Sequence, residues 1–391
     1  MSVTAPAGFV AAGVASGIKT SGEPDLSLVA TADARPVPAA AVFTDNKMTA
    51  APVLVSAAHL ASTGGQATGV ILNSGNANAA TGEKGQADAT AMCAAAASEL
   101  GCSAEDLLVC STGLIGIPLP IDVILAAVPI LAASRGSSRV HGGDAAEAIR
   151  TTDTHAKQVV EQVEGSGATV GGMAKGAAML APNMATMLAV LTTDAAADPD
   201  TLQQMLRGAV GDSFNILMTD ACRSTNDTVI LLAGGAAGPV DEERLAAAVG
   251  RACSDLAMQM ASDAEGATKV VRLRVVGAAS DDQADAGARQ IARSALCKCS
   301  WFGQDPYWGR LASELGSAGI DFEQDRISVA YGGVTVASGG VTIEHDEEAV
   351  AEHMSQQHLD IVCDLGLGTG RATIITNDLT HAYIDENTGG S

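Results

Sequence analysis

Lys175-Gly176-Ala177-Ala178-Met179-Leu180-Ala181-Pro182-Asn183-Met184-Ala185-Thr186-Met187-Leu188 lies near the middle of a chain of 391 residues. From Ala168 to Thr193 the sequence around it is strand-like, with a glycine-rich middle, and a tight loop at Ala181-Pro182-Asn183 separates two apolar strands. A Pro-Asn turn can strain or expose the peptide bonds that follow it. A threonine hydroxyl beside a strained carbonyl can attack it and pass through an ester, cutting the chain between Ala185 and Thr186. The freed N-terminal threonine then carries an α-amine next to its own hydroxyl. The unperturbed pKa of such an amine is about 7.7–8.0, so base and nucleophile come in one residue. On this chemistry alone, an ordinary strand–loop–strand explains the same residues, and both readings stand.

Moving outward, strands are predicted at Gly8–Ala11, Leu26–Ala30, Ala40–Thr44, Thr68–Leu72 and Asp106–Cys110. Helical periodicity predicts helices over about Lys84–Leu100, Pro120–Ser134 and Asp144–Arg150, and Lys157–Val163 reads as extended. Beyond the central stretch come a helix from about Thr201 to Val210 and a strand at Thr228–Leu232. A long helix over Asp241–Asp263, a strand at Lys269–Val276 and a helix over Asp281–Leu296 follow. The last hundred residues read mostly as short strands, ending in Ala372–Ile375 and Ala382–Ile384. Strands and helices cluster rather than alternate strictly, which favours an α+β layered protein over a doubly wound sheet. Ile121–Ala133, the longest apolar stretch, is broken by Asp122 and Pro129, is too short to span a bilayer and reads as a buried helix.

The hydrophobic fraction is 47 % while aromatic residues make up only 3 %, so Ala, Val, Leu and Gly supply most of the core. Twenty-two Lys plus Arg face 45 Asp plus Glu, for a formal charge of −23. Such a surface repels phosphate backbones and anionic lipid, which argues against nucleic-acid and membrane partners but leaves a local basic pocket open. No basic residue precedes an apolar run at the start, so the expected location is the cytoplasm.

Eight cysteines are spread through the chain and read as reduced, mostly buried thiols. Only Cys297 and Cys299 are close, and no histidines stand at zinc-ligand spacing, so no metal is expected. Gly366-Leu367-Gly368-Thr369-Gly370-Arg371 looks like a nucleotide fingerprint but leads into the strand-like Ala372–Ile375, so it reads as a β-turn. Ser74 and Ser224 lie in polar loops without a G-x-S-x-G elbow.

The central run K-G-x-x-M-x-x-P-x-x-A-T-M-L resembles the self-cleavage signature of the ornithine acetyltransferases, the N-acetylglutamate-forming enzymes of arginine biosynthesis. Further motifs match in order, nearly end to end. They include Val42-Phe43-Thr44 with Ala50-Ala51-Pro52-Val53, which is similar to the family's early strand, and the asparagine-rich loop Asn73-Ser74-Gly75-Asn76-Ala77-Asn78-Ala79. Ser111-Thr112-Gly113-Leu114-Ile115-Gly116, Thr151-Thr152-Asp153-Thr154 and Ser224-Thr225-Asn226-Asp227-Thr228 follow. Glu265-Gly266-Ala267-Thr268-Lys269 and Asp305-Pro306 with Trp308-Gly309-Arg310 complete the set. The chain departs from the family pattern at Ala80, Tyr307 and Asp220-Ala221-Cys222-Arg223, and its tail is one residue shorter than the usual ending.

The resemblance implies an α+β fold of layered sheets with helices outside, shared with self-processing aminopeptidases. It implies an α chain, residues 1–185, and a β chain, residues 186–391, assembled as an α2β2 heterotetramer. Thr186 is then both cleavage residue and acyl-accepting nucleophile. The Thr112 hydroxyl and Gly113 N–H hold the oxyanion, and Thr152, Lys175, Glu265, Asn387 and Ser391 contact substrate. The implied reaction moves acetyl from N2-acetylornithine to glutamate without metal or organic cofactor, and whether acetyl-CoA also donates is left open. A hydrolase of the aminopeptidase type would share the nucleophile but pass the acyl group to water.

Overall fold

The computed structural model describes residues 2–177 and 187–388, which fold as two compact units. The first takes Met1–Asn215 and Cys222–Met260, the second Ile216–Ala221 and Ala261–Ser391. In chain order the first contains Phe9–Val14 (β1), Leu26–Thr31 (β2), Val37–Phe43 (β3), Ala51–Ser62 (α1), Gln66–Ala67 (β4), Gly69–Asn76 (β5) and Gly82–Leu100 (α2). It continues through Leu107–Leu114 (β6), Ile121–Ala133 (α3), Arg139–Ala148 (α4), Lys157–Gln162 (β7), Thr169–Lys175 (β8) and Leu188–Ala196 (β9). Pro199–Gly211 (α5), Thr228–Pro239 (β10) and most of Glu242–Ser262 (α6) complete it.

These strands form a four-stranded sheet, β1-β2-β5-β6, and a six-stranded sheet, β4-β3-β10-β9-β8-β7. Period-2 alternation builds the layers. On one face of the smaller sheet, Phe9, Val29, Leu72, Leu108 and Cys110 meet Ala41, Met173, Leu188, Val190, Ile230 and Leu232 of the larger sheet. On its other face, Leu28, Ile71, Leu107 and Val109 pack against Met92, Cys93 and Ala96 of α2 and Ile124 and Leu131 of α3. The outer face of the larger sheet carries α5 and α6. Gln203 of α5 donates to the Ala41 carbonyl at 3.1 Å, and Gln259 of α6 donates to the Gln158 carbonyl at 3.1 Å. The order within this unit is therefore helix, sheet, sheet, helix, an α+β layered arrangement with helices outside.

The second unit contains Val270–Ala278 (β11), Asp281–Ala292 (α7), Ala295–Phe302 (α8), Trp308–Ser317 (α9), Ser328–Tyr331 (β12) and Val334–Ser338 (β13). Val341–Thr342 (β14), Glu347–Ser355 (α10), His358–Asp364 (β15), Gly370–Asn377 (β16) and His381–Glu386 (α11) follow. One sheet, β14-β13-β12-β15-β11-β16, buries Leu273, Val275, Tyr331, Ile361 and Ile374 against Ile291, Trp301, Leu315 and Met354 of its helices. The glycine-rich run ending at Arg371 leads directly into β16, as a turn entering a strand.

Several elements differ from the sequence expectation. Ala50–Val53, compared above with a strand, opens α1, where Pro52 in the first turn gives up an N–H that has no helical partner anyway. The expected helix over Asp281–Leu296 breaks at Ser294, whose side chain accepts from the Cys297 amide and starts α8 afresh. Ala382–Ile384 is helical rather than extended, because Thr380 caps α11 by accepting from the Tyr383 amide. Among the described residues the last hundred thus hold four α-helices, α8 to α11, besides strands. The helix Ile121–Ala133 is buried on one face only, with Val123 38 % and Ile130 64 % exposed. Among the described residues no helix is long and apolar enough to cross a membrane.

Candidate active site

In the first unit β5 and β6 run parallel, placing Ser74 beside Thr112 and Gly75 beside Gly113. Gly113 has φ +131°, and a Cβ there would lie 2.3 Å from the Gly75 carbonyl carbon. Only glycine permits this close approach at that backbone angle. It leaves Thr112, fully buried, as the last buried side chain of β6 before the exposed Leu114 and the loop that begins at Ile115.

The Lys175 side chain, at the end of β8, reaches the same point. Its Nζ donates to Thr112 Oγ1 at 3.2 Å and to Thr151 Oγ1 at 2.7 Å. An ammonium can only donate, so both hydroxyls accept from it and keep their own protons to donate elsewhere. Asp153 anchors the base of this cluster. It pairs with Lys157 at 2.6 Å, lies 3.8 Å from Lys175 and accepts from the Gly176 amide at 2.7 Å. Burial alone would raise the Asp153 pKa, but the Lys175 and Lys157 charges and these hydrogen bonds outweigh it and hold the carboxyl below its ordinary range.

Two further loops close around the β5 and β6 ends. Asn226 Nδ2 donates to the Ala77 carbonyl at 2.6 Å and to the Ser111 carbonyl at 2.9 Å, joining three of the sequence motifs through one amide. Next to it, Asp227 Oδ1 accepts from the Met187 amide at 2.9 Å. Asp227 is fully buried, and that burial pushes its pKa well above the carboxylate range despite the Met187 hydrogen bond.

In the second unit Asn387, just past α11, donates from Nδ2 to Glu265 Oε2 at 3.0 Å. Glu265 is buried and lines a cavity of about 160 Å³ with Lys298, Asp378 and Tyr383. Burial lowers the Lys298 pKa to about 8, with Asp220 and Asp378 opposing the shift. Gly266 permits the chain to pass here, since a Cβ would lie 2.3 Å from the Tyr383 nitrogen of α11.

Of the residues expected from sequence, Thr112, Gly113 and Lys175 meet in the first unit, and Glu265 and Asn387 meet in the second. Thr152 is exposed, and it is the preceding Thr151 whose hydroxyl touches Lys175. Ala185, Thr186 and Ser391 lie outside the described residues. Sequence reasoning assigned no role to Asp153, Lys157 or Asp227. The available signals were the Asp153 and Lys157 charges four residues apart at the start of a strand, and Asp227 opening the apolar run Thr228–Leu232.

The ArgJ family model matches residues 10–389. The chain is similar to the arginine biosynthesis bifunctional protein ArgJ of Streptomyces coelicolor, at 49 % identity with all of both chains covered. Its likeness to the protein of the same name from Mycobacterium tuberculosis is also 49 %, covering all of this chain and 96 % of the other. Among solved structures, an ornithine acetyltransferase complexed with ornithine, from M. tuberculosis, is 49 % identical. It covers 46 % of this chain and 94 % of its own, with a TM-score of 0.43. ArgJ of Bacillus halodurans is 32 % identical and covers 51 % of this chain and 96 % of its own, with a TM-score of 0.48. Matched along nearly its whole length, with the motifs of the first unit gathered around Thr112 and Lys175, the chain belongs to the ArgJ family.

Proposed function

We propose that this chain is a glutamate N-acetyltransferase of arginine biosynthesis that takes acetyl from N2-acetylornithine through an acetyl-Thr186 ester. The observation that carries the reading is the Lys175–Thr112 hydrogen bond of 3.2 Å beside Gly113. It supports a hydroxyl held as donor where an oxyanion would form.

The chain first cuts itself between Ala185 and Thr186. Support for the two pieces staying joined comes from β8 and β9, which flank the cut and pair antiparallel with Lys175 opposite Leu188. The Thr186 α-amine then accepts the proton of its own hydroxyl, and Oγ attacks the acetyl carbonyl. The Thr112 hydroxyl and the Gly113 N–H stabilise the oxyanion. The C–N bond breaks and ornithine leaves with the proton returned by the Thr186 ammonium. The free amine of glutamate then attacks the ester carbonyl, the C–Oγ bond breaks, and the amine's proton passes through the Thr186 α-amine to restore the Thr186 hydroxyl. Thr152 and Lys175 contact substrate, and Glu265, Asn387 and Ser391 receive its ammonium end. No cofactor enters these steps, and acetyl-CoA is a candidate second donor. The assembly is α2β2 and its compartment is the cytoplasm. All eight cysteines are free and five of them are buried, which supports a reducing compartment.

The test is an intact mass spectrum of denatured protein after brief exposure to N2-acetylornithine. Two chains beginning at Met1 and Thr186, the second carrying one acetyl group, are the expected result. A single uncut chain without acetyl overturns the mechanism.

A further inference from the structure

Lys157 is a lysine with no solvent exposure, and its Nζ lies 2.6 Å from Asp153 Oδ1, which places it outside any surface or substrate-contacting role. A buried ammonium is expensive unless a counter-charge receives it. The counter-charge it has chosen is shared. Asp153 Oδ2 stands 3.8 Å from Lys175 Nζ, beyond hydrogen-bond distance, although both groups are almost wholly buried. Lys175 directs its protons instead to Thr112 Oγ1 at 3.2 Å and Thr151 Oγ1 at 2.7 Å. One carboxylate thus stands between two ammonium groups and binds only one of them at hydrogen-bond distance.

We propose that Lys157 is a positioning residue for acyl transfer: it occupies the Asp153 carboxylate, so that the Lys175 ammonium stays on the Thr112 hydroxyl and the Thr112 proton is left to face the oxyanion. Asp153 is the hinge of this device. Its Oδ1 binds both Lys157 and the amide of Gly176, fixing the backbone next to Lys175, while its Oδ2 accepts from the Thr151 amide at 3.1 Å. Without the Lys157 charge, Asp153 would draw Lys175 into a direct ion pair and away from Thr112. One positive charge near the oxyanion would also be lost. Neither Asp153 nor Lys157 touches the reacting atoms, and both act through Lys175.

This inference rests on the reading of Thr112 as an oxyanion donor, and the test separates the two. Turnover of N2-acetylornithine and glutamate is measured for Lys157→Met, for the charge-balanced pair Asp153→Asn with Lys157→Met, and for Thr112→Ala as control. Rates are expressed per total chain, so that a variant that fails to cut itself counts as slow. Lys157→Met is expected to lower kcat at least about tenfold with KM within about threefold, the signature of a group used only in the transition state. The double variant, which removes both the competing carboxylate and its partner, is expected to recover most of that loss. Wild-type kcat in Lys157→Met, or a double variant slower than the single one, overturns the proposal. Should Lys157→Met not fold, the double variant decides: a kcat above that of Thr112→Ala supports the proposal, and one at or below it sinks it. Wild-type kcat in Thr112→Ala would instead remove the oxyanion reading itself.

Discussion

The Met187 amide donates to Asp227 Oδ1 at 2.9 Å while the Met187 carbonyl accepts from the Thr228 amide at 3.2 Å. Met187, the residue after the proposed nucleophile Thr186, is thus held from both sides by the entrance to β10. Asp227 makes this bond from a fully buried position, where burial pushes its carboxyl pKa well above the ordinary carboxylate range.

A pH-dependent stability follows from that carboxyl. Its folded pKa is raised above the unfolded value of about 3.9, so the native state binds more protons than the unfolded one. The favourable neutral form is fully present below the unfolded pKa, and its stability is lost as pH rises toward the folded pKa. Asp227→Asn keeps an oxygen for the Met187 amide and removes the titration. The variant is expected to melt higher than wild type at neutral pH, with the gap closing toward about pH 4. Thermal melts of both proteins across this range decide it, and parallel curves would refute the assignment.

Asp153 has the opposite sign. Its folded pKa is held below the unfolded value, so its contribution is present above about pH 4 and is lost as pH falls through the folded pKa. Asp153→Asn removes the carboxylate 2.6 Å from the buried Lys157 ammonium and is expected to cost about 3–5 kcal/mol at pH 7. Denaturant unfolding at pH 7 measures this. A loss below about 1 kcal/mol, the scale of an exposed pair, would show that the cluster is better solvated than its burial indicates.

At the oxyanion position, Thr112→Ala is expected to lower kcat by about 10²–10³ with little change in melting temperature, and Thr112→Ser to recover most of the rate. Gly113→Ala should differ in kind. A Cβ 2.3 Å from the Gly75 carbonyl carbon forces β5 and β6 apart, so both activity and thermal stability should fall. Equal melting temperatures for Gly113→Ala and wild type would contradict that geometry.

In the second unit, Gly266→Ala places a Cβ 2.3 Å from the Tyr383 nitrogen and should displace α11, breaking the Asn387–Glu265 hydrogen bond of 3.0 Å. If these two residues receive the substrate ammonium, KM for N2-acetylornithine should rise by about tenfold, since a hydrogen bond to a charged group is worth roughly 1.5–3 kcal/mol. Steady-state kinetics separate this from a loss in kcat alone, which would count against the substrate-binding role.

Much of the molecule was legible in the residues themselves. The short apolar runs at Leu26–Ala30, Thr68–Leu72 and Thr228–Leu232 overlap strands buried on both faces, where continuous rather than alternating apolar sequence is required. Thr112, Gly113 and Lys175 could be named because the motifs that hold them resemble those of the ornithine acetyltransferases. Short apolar runs such as Ala382–Ile384 were misread because three residues carry no decisive period, and the Thr380 cap settled the matter locally. What tertiary structure alone decided is partnership. Lys175 and Thr112 are 63 residues apart, and Met187 and Asp227 are 40 apart. That Thr151 rather than Thr152 meets Lys175, and that Asp153 divides itself between two lysines, depends on strand register and loop closure. Local sequence preference does not encode side-chain position to the fraction of an ångström at which a hydrogen bond forms or fails.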